Sequence, residues 1–297
     1  MLLGTVEYDF AIALYGDIYH YICREMGEES EAAMLSLGRM AAEHYTFHYL
    51  DDAVSCYEKV VNWFLEHPNF RIREPHQFIK ECGNAYLARY RISKDPSDTS
   101  KAYYYYTKAQ EYGECMCRFA IDNQDEHLYY FEYQHKAIYG HFSRYYLVTG
   151  NEDLADKYSR IWREQIESFA NYPNISTDAD LAAWNLGNAE ILMLHRDYES
   201  AIQALKAAFQ LWKKCFSEKH PRVLDVLCLL IQCLIQIEKN EEAGIWLEIA
   251  SEIAKSTMAA DHPAIKRLRD LRREQEKILD QLRENHDTRP QMLYRQL

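Results

Sequence analysis

The stretch from Trp184 to Phe216 constrains the fold more than any other, because it contains two helical patterns joined by a short polar turn, HRDYE. In each half, apolar residues recur at helical spacing and form one apolar stripe. The stripes consist of Leu186, Ala189, Ile191, Leu192 and Leu194 in the first half and Ala201, Leu205, Ala208, Phe209 and Trp212 in the second. Two such stripes can face each other across the turn. The stretch therefore predicts an antiparallel pair of helices.

The rest of the chain favours the same architecture. With 10 Gly and 7 Pro in 297 residues there are few turn signals, and no alternating apolar pattern competes with the helical periodicity. We therefore predict an all-α protein. The expected organisation is an N-terminal helix at 1–28, about five helical pairs at 29–260, a C-terminal capping helix at 261–284 and a flexible tail at 285–297.

An alanine opens the second helix of each pattern. These alanines are Ala53, Ala102, Ala155, Ala201 and Ala243. Together with the small residues in the first helices and turns such as TGNEDLA, this order resembles the tetratricopeptide repeat (TPR), whose unit is about 34 residues. The longer spacing here, and junctions such as KHPRV and DHPAI, resemble the long-helix repeats of kinesin light chains. The resemblance implies a right-handed superhelical solenoid, although armadillo-like arrays share the same spacing.

Two boundaries follow from the local pattern. The cluster SKDPSDTS at 93–100 is expected to separate the helices of the second pair. The first helix of the third pair is expected to run from HLYYFEY, through Gly140, to the TGNEDLA turn.

The resemblance also suggests a binding surface. In peptide-binding TPR proteins the first helices line a concave groove, and a polar residue follows the small-residue position. The matching residues are Arg39, Asn84, His141, Asn188 and Gln232. Side-chain donors and acceptors in such a row suit the backbone of an extended peptide. The alternative is that these are ordinary solvated helix positions.

Two cations stand close to this row. Lys80 lies one turn before Asn84 and resembles half of the carboxylate clamp of some TPR domains, while Arg144 lies one turn after His141. The other half of the clamp is missing, because Ala137 and Trp184 occupy the later positions. A chaperone co-factor is therefore not predicted, but both cations are included among the expected partner-binding residues.

Tyrosine is unusually abundant, with 24 residues. Runs such as Tyr103 to Tyr106 can supply rigid amphipathic contacts for a partner, or they can fill gaps between long helices. The sequence leaves both interpretations open.

Charge and cysteine content restrict the partners and the compartment. A net charge of −12 argues against sequence-independent binding to nucleic acid, because that affinity comes from Lys and Arg on phosphates. The eight cysteines include no CxxC pair and lie in apolar helical patterns, as expected in a reducing cytoplasm. The N-terminal stretch is interrupted by acids and lacks a basic lead, so neither a signal peptide nor a membrane span is expected.

Catalysis has little support in the sequence. His44 and His48 are four residues apart, as on one helix face, but HYTFH lacks the glutamate of HExxH, and no nucleotide-binding or nucleophile motif is present. We therefore predict a non-catalytic protein- or peptide-binding scaffold without metal or cofactor. The alternatives are a peptide-responsive cytosolic regulator of a partner protein and, with less support, a metal-dependent enzyme using His44 and His48.

Overall fold

A computed structural model describes residues 3–125, 128–169, 178–215, 221–257, 265–278 and 280. Every regular element in these ranges is an α-helix, which confirms the predicted all-α class. None of the described helices combines the length and the apolar character needed to span a bilayer. The predicted tail at 285–297 and the second HP junction, at His262 and Pro263, lie outside the described residues.

Helices follow one another along the whole of the described chain. In chain order they are α1 (Leu3–Met26), α2 (Glu31–Thr46), α3 (Leu50–Glu66), α4 (Glu74–Ser93), α5 (Pro96–Asp122), α6 (Leu128–Lys136), α7 (Ile138–Val148), α8 (Glu152–Phe169), α9 (Asp178–Leu194), α10 (Tyr198–Cys215), α11 (Pro221–Gln236) and α12 (Asn240–Thr257). A further helix, α13, occupies residues 265–278. The chain divides into two compact units, an N-terminal unit from Thr5 to Gly187 and a C-terminal unit from Asn188 onward.

Within the N-terminal unit the helices form two layers. Each first helix packs on the second helix of its own pair, α2 on α3, α4 on α5 and α7 on α8. The first helices α2, α4 and α7 also approach one another closely along the row, whereas α3 and α5 make no comparable approach in the described chain. The first-helix layer is therefore the inner side of a curved array. This arrangement confirms the predicted TPR-like repeat architecture.

The turns between helices repeat one hydrogen-bonding pattern. The backbone N–H of Asn151 donates to the carbonyl of Tyr146 at 2.8 Å, and that of Asp197 donates to Leu192 at 2.9 Å. In each turn the preceding residue is left-handed, with φ of 81° at Gly150 and 60° at Arg196. Such a bond closes the end of a helix, and the short turn returns the chain at once into the next helix.

A turn with a left-handed residue also lies between α2 and α3, and it corrects one expectation from the sequence. His44 lies on α2, but α2 ends at Thr46, and His48 has a φ of 63° in the turn before α3. The two histidines are therefore not on one helix face. The spacing of four residues is misleading here because a left-handed residue turns the chain away from the helix axis.

Two helix boundaries also differ from the sequence-based expectation. SKDPSDTS interrupts the helices only around Lys94 and Asp95. Asp95 caps the N-terminus of α5, because its carboxylate accepts a hydrogen bond from the Ser97 N–H at 2.9 Å. Pro96 then occupies the first helical position, for which proline is well suited. In the third pair, the first helix is divided into α6 and α7 at Ala137. A tight bond from the N–H of Gly140 to the carbonyl of Ala137 marks the break.

Close approach explains the glycines in two first helices. A Cβ on Gly83 would lie 2.5 Å from the ring of Tyr106, and one on Gly140 would lie 2.6 Å from the indole of Trp162. In each case a large aromatic ring of the second helix occupies the space of the missing side chain. These contacts set how closely the two helices of a pair can pack.

The tyrosine runs divide between packing and exposure. Tyr105 and Tyr106 are fully buried, whereas Tyr103 and Tyr104 remain about half exposed. Successive residues on a helix point in different directions, so one run serves both the core and the surface. The packing interpretation therefore holds for Tyr105 and Tyr106, and a role of Tyr103 and Tyr104 in partner recognition stays a prediction.

In the C-terminal unit, α11 packs against both α10 and α12. Helix α13 lies on this group through buried Leu268 and Leu271 and through Gln275, whose amide donates to the carbonyl of Asn240 at 2.6 Å. Arg272 adds an ion pair to Glu248 on α12 at 2.9 Å. These contacts cover one side of the last helical pair.

Candidate partner-binding site on the first helices

A polar stripe runs along α4 in the N-terminal unit. His76, Lys80 and Asn84 follow one another at intervals of four residues and therefore share one face of the helix. His76 and Lys80 are buried, and Asn84 is half exposed. Because α4 lies between α2 and α7 in the first-helix layer, this stripe lies in the middle of the unit, and it faces the neighbouring helices α5, α6 and α7.

Asn84 links α4 to two other helices. Its amide oxygen accepts a hydrogen bond from the hydroxyl of Tyr106 at 2.9 Å and another from Nδ1 of His141, also at 2.9 Å. Its amide nitrogen donates to Glu81 at 3.1 Å, which fixes the orientation of the amide. An amide oxygen only accepts, so His141 carries a proton on Nδ1. Asn84 thus holds α7 and α5 in register with α4.

Lys80 lies beneath this surface, with only 3% of its area exposed. Its ammonium donates to the side-chain oxygen of Gln134 on α6 at 3.3 Å. Burial lowers the pKa of Lys80, and the nearby carboxylates of Asp180 and Glu81 oppose that shift. Asp180 itself accepts a hydrogen bond from the hydroxyl of Tyr133. The ammonium therefore joins α4 to α6, and the charge of Asp180 in the first turn of α9 acts on it only at longer range.

Two histidines complete the buried part of the site. Burial depresses the pKa of His76 well below its ordinary value of 6.5, and the Lys80 charge adds to the effect. The pKa of His135 is lowered too, chiefly by burial. Within the described chain, Nε2 of His76 and Nδ1 of His135 have no hydrogen-bond partner. Both rings are therefore held in their neutral form near pH 7 by their surroundings.

The structure brings only some of the predicted residues together. Asn84 and His141 are hydrogen-bonded to each other, and Arg144 lies one turn beyond His141 on α7, half-buried. Lys80 lies one turn from Asn84 on α4 but donates to Gln134 instead. Arg39 is exposed on α2. The TPR resemblance implies that Lys80 lines a groove. In the structure Lys80 is buried instead, because Gln134 and the neighbouring helices cover it.

Asn188 and Gln232 belong to the other unit. Asn188 is half-buried on α9. Gln232, on α11, accepts a hydrogen bond from Arg267 of α13 at 3.4 Å. The Gln232 side-chain oxygen therefore already accepts one hydrogen bond from α13, which leaves it one lone pair.

Several residues of this network were not identified from the sequence. They are His76, Tyr133, Gln134, His135 and Asp180. The spacing of His76, Lys80 and Asn84 was a usable signal, since three polar residues at intervals of four mark one helix face. The residues of α6 and α9 carry no comparable pattern, because they meet the stripe only after the helices pack.

The histidine pair considered for catalysis is not arranged as a metal site. His44 is buried on α2, where burial lowers its pKa and the charge of Asp52 partly opposes the shift. His48 lies in the turn, as described above. Nowhere in the described ranges are three His, Cys, Asp or Glu side chains grouped to hold a metal ion.

Comparisons with known proteins relate the chain to helical repeat structures. No protein-family model matches it, and no curated protein matches it in sequence. Among solved structures, the assembly chaperone of RpL4 (Acl4, residues 1–338) is similar at a TM-score of 0.48 and 15% identity, covering 96% of this chain and 95% of that chain. BtubC (BKLC) from P. vanneervenii is similar at a TM-score of 0.46 and 11% identity, covering 84% and 91%. The TPR2AB domain of yeast Sti1, in complex with an HSP90 peptide, is similar at 0.36 and 15% identity, covering 93% and 94%.

The helical pairs, the shared turn and the two-layered row together define the class. The protein has a TPR-like helical repeat fold, with a hydrogen-bonded polar network on the inner helices of its N-terminal unit.

Proposed function

We propose that the protein is a non-catalytic scaffold that binds a segment of another protein along the first-helix layer of its N-terminal unit. The observation that carries this proposal is the half-exposed polar group of Glu81, Asn84 and His141 on adjacent inner helices. A preformed row of donors and acceptors costs the receptor little ordering free energy when an extended chain binds. Each hydrogen bond contributes about 1 kcal/mol net, so several must act together.

The arrangement of the polar groups favours a peptide backbone over a small charged ligand. Within the network the Lys80 ammonium is buried and sits near two carboxylates, whereas the half-exposed groups include an amide and an imidazole. Amide and imidazole groups offer both donors and acceptors, as a backbone requires. The partner is therefore expected to be a protein segment. With a net charge of −12 on the scaffold, we do not propose nucleic acid as a ligand.

We place this activity in the cytoplasm. All eight cysteines are free thiols, and burial raises the pKa of Cys56, Cys117 and Cys233 to about 11. Thiols of this kind are chemically inert and suit a reducing compartment.

The test is capture of partners from native cell extract by the immobilised protein, with identification by mass spectrometry. Wild type is compared with His141→Ala and with Asn62→Ala, an exposed asparagine on the second helix α3 that serves as the matched control. A partner retained by wild type and Asn62→Ala but lost by His141→Ala supports the site. Equal capture by all three places binding elsewhere and contradicts the proposal.

An Asn188→Ala variant tests the predicted row in the C-terminal unit separately. If this change weakens capture of the same partner, the binding surface includes α9. If it has no effect while His141→Ala abolishes capture, binding is confined to the first-helix layer of the N-terminal unit.

A further inference from the structure

Helix α1 carries an apolar row on its exposed side. On the opposite side Tyr19 packs on the core of the N-terminal unit, and its hydroxyl accepts a hydrogen bond from the ammonium of Lys59 at 3.1 Å. The row consists of Phe10, Leu14, Ile18 and Tyr21, which are exposed by 68%, 47%, 39% and 58%. At about 100° per residue they fall within roughly 80° of the helix circumference and extend over about 16 Å. We refer to these four residues as the α1 row. An exposed apolar row of this kind marks an interaction site.

Acidic side chains border the α1 row. Asp17 lies on its flank, and Glu25 lies one turn beyond Tyr21 on the same face. Two further acids, Glu28 and Glu29, follow directly after the helix, and all four are exposed. Arg24 lies 3.6 Å from Glu25 and offsets part of this charge. The negative end of the helix dipole adds to it at the same end of α1. The C-terminal half of the row therefore lies in a negative potential.

The negative charge of the chain is concentrated in this region. Residues 3–66, which span α1 to α3, contain twelve acidic and three basic residues and so carry −9 of the total charge of −12. The field that an approaching partner meets is therefore strongest around these helices. This field repels other acidic surfaces, including a second copy of the chain, and it attracts basic ones.

We propose that the α1 row binds an amphipathic helix of a partner protein, with lysine or arginine beside its apolar face. The apolar residues of that helix cover the α1 row, since both follow the spacing of three to four residues that a helix imposes. The cations of the partner meet Asp17 and the glutamates at the end of α1. Such charge complementarity selects a basic helix over an acidic one of the same shape.

The size of the row sets the expected strength. Its four side chains offer on the order of 400 Å², which suits one short helix rather than the face of a globular partner, for which about 800 Å² is standard. Charge attraction adds to this burial and is screened by salt within about 8 to 10 Å. We expect a dissociation constant on the order of 10 to 100 µM that rises with salt. The surface does not include Asn84 or His141, so it is independent of the partner-binding site proposed above.

The probe is a fluorescent synthetic peptide of about 14 residues, made of leucine and lysine and patterned as a helix with one apolar face. Its fluorescence anisotropy is titrated with the full chain at about 50 and about 300 mM salt. One control peptide has the same composition in an order that separates no apolar face. In a second control peptide glutamate replaces every lysine. Wild type is expected to bind the first peptide at least tenfold more tightly than either control.

Two changes to the apolar surface locate the binding. Leu14→Gln/Ile18→Gln removes the centre of the α1 row and is expected to weaken peptide binding at least tenfold. The matched control is Ile121→Gln, on an isoleucine that is 56% exposed on α5, and it is expected to bind like wild type. Circular dichroism establishes that these variants are folded.

Two triple variants test the charges. Removal of three acids beside the row, by Glu25→Gln/Glu28→Gln/Glu29→Gln, is expected to weaken binding about tenfold at low salt and to reduce its dependence on salt. The control removes three exposed acids of α8 instead, by Glu152→Gln/Asp153→Asn/Glu164→Gln, and should leave binding nearly unchanged.

Four results would overturn the proposal. They are a wild type that does not bind the patterned peptide, equal binding of the rearranged peptide, binding that survives Leu14→Gln/Ile18→Gln, and equal losses in the two triple variants. Sedimentation equilibrium of the protein alone examines the other occupant. A dimer that Leu14→Gln/Ile18→Gln abolishes would assign the row to a second copy and would also contradict the proposal.

Discussion

Nδ1 of His141 lies 2.9 Å from the amide oxygen of Asn84, although 57 residues of chain separate them. The same oxygen accepts the hydroxyl of Tyr106, which is fully buried. One amide group therefore joins the first helices of two neighbouring repeats to a second helix. The network that we propose as part of the binding surface also stabilises the packing of that surface.

Replacing Asn84 by alanine is expected to destabilise the protein by about 1 to 3 kcal/mol, because the buried Tyr106 hydroxyl loses its acceptor. Tyr106→Phe removes the hydroxyl as well as the bond, so its cost is expected to be smaller, about 1 kcal/mol. Urea unfolding followed by circular dichroism measures both. The double variant is expected to lose less stability than the sum of the losses of the two single variants, because the shared hydrogen bond can be lost only once. If the double variant lost the full sum, the hydrogen bond would contribute nothing to stability.

The two glycines beneath aromatic rings give a second prediction. Gly83→Ala and Gly140→Ala each force a Cβ to within 2.6 Å of a ring atom, and overpacking of this kind costs about 1 to 3 kcal/mol. Gly187, in α9, is the control, because no neighbouring atom of the described chain lies within 4 Å of the point that its Cβ would occupy. Gly187→Ala is therefore expected to stabilise by about 0.5 to 1 kcal/mol through helix propensity. The thermal unfolding midpoint should fall in Gly83→Ala and Gly140→Ala and rise in Gly187→Ala. A shift in the same direction for all three variants would contradict the packing argument.

Arg89 contacts one buried and one exposed carboxylate, and the two are expected to differ in importance. Asp98 is buried and lies 2.7 Å from the guanidinium, while Asp51 is exposed and lies at 2.9 Å. Asp98→Asn leaves a partly buried guanidinium without its main counter-charge, at a cost of about 2 to 4 kcal/mol. Asp51→Asn is expected to cost less than about 1 kcal/mol. Urea midpoints for the two variants provide the comparison, and equal losses would refute this distinction.

Stability is expected to decrease as the pH falls below about 6.5. His76, His135 and His44 have folded-state pKa values below their ordinary 6.5, chiefly through burial. In the window below 6.5 the unfolded chain binds protons that the folded protein does not, so acid favours unfolding. The contribution of neutral histidine is fully present above that pH. Burial raises the pKa of Glu43. At lower pH the folded protein therefore takes up a proton at Glu43 more readily than the unfolded chain does, which favours folding.

The measurement is the free energy of unfolding in urea at several values between pH 7.5 and 5. His76→Phe removes one buried histidine and is expected to flatten the decline, whereas replacement of exposed His20 by phenylalanine should leave the slope nearly unchanged. A wild-type stability that is constant over this range would contradict the assignment of buried neutral histidines.

The local elements were accessible from sequence alone because their causes are local. Periodicity placed the helices, and turns such as TGNEDLA gave their junctions, since a left-handed residue followed by a capping side chain is read within a few positions. The division at Ala137 was missed because nothing in YYFEYQHKAIYG breaks helical periodicity. His48 was misplaced because the helix ends before it. Two residues four positions apart share a helix face only if the helix continues through both of them.

The sequence by itself determined that this chain forms paired amphipathic helices, with glycine where a first helix must pack closely on a second. Only the tertiary structure decided which polar side chains meet. Lys80 and Asn84 stand one turn apart on α4, yet one is buried beneath Gln134 and the other is half exposed against His141. The physical reason is that periodicity defines a face of a helix, whereas the burial of a polar group on that face depends on the helices that pack over it from distant parts of the chain.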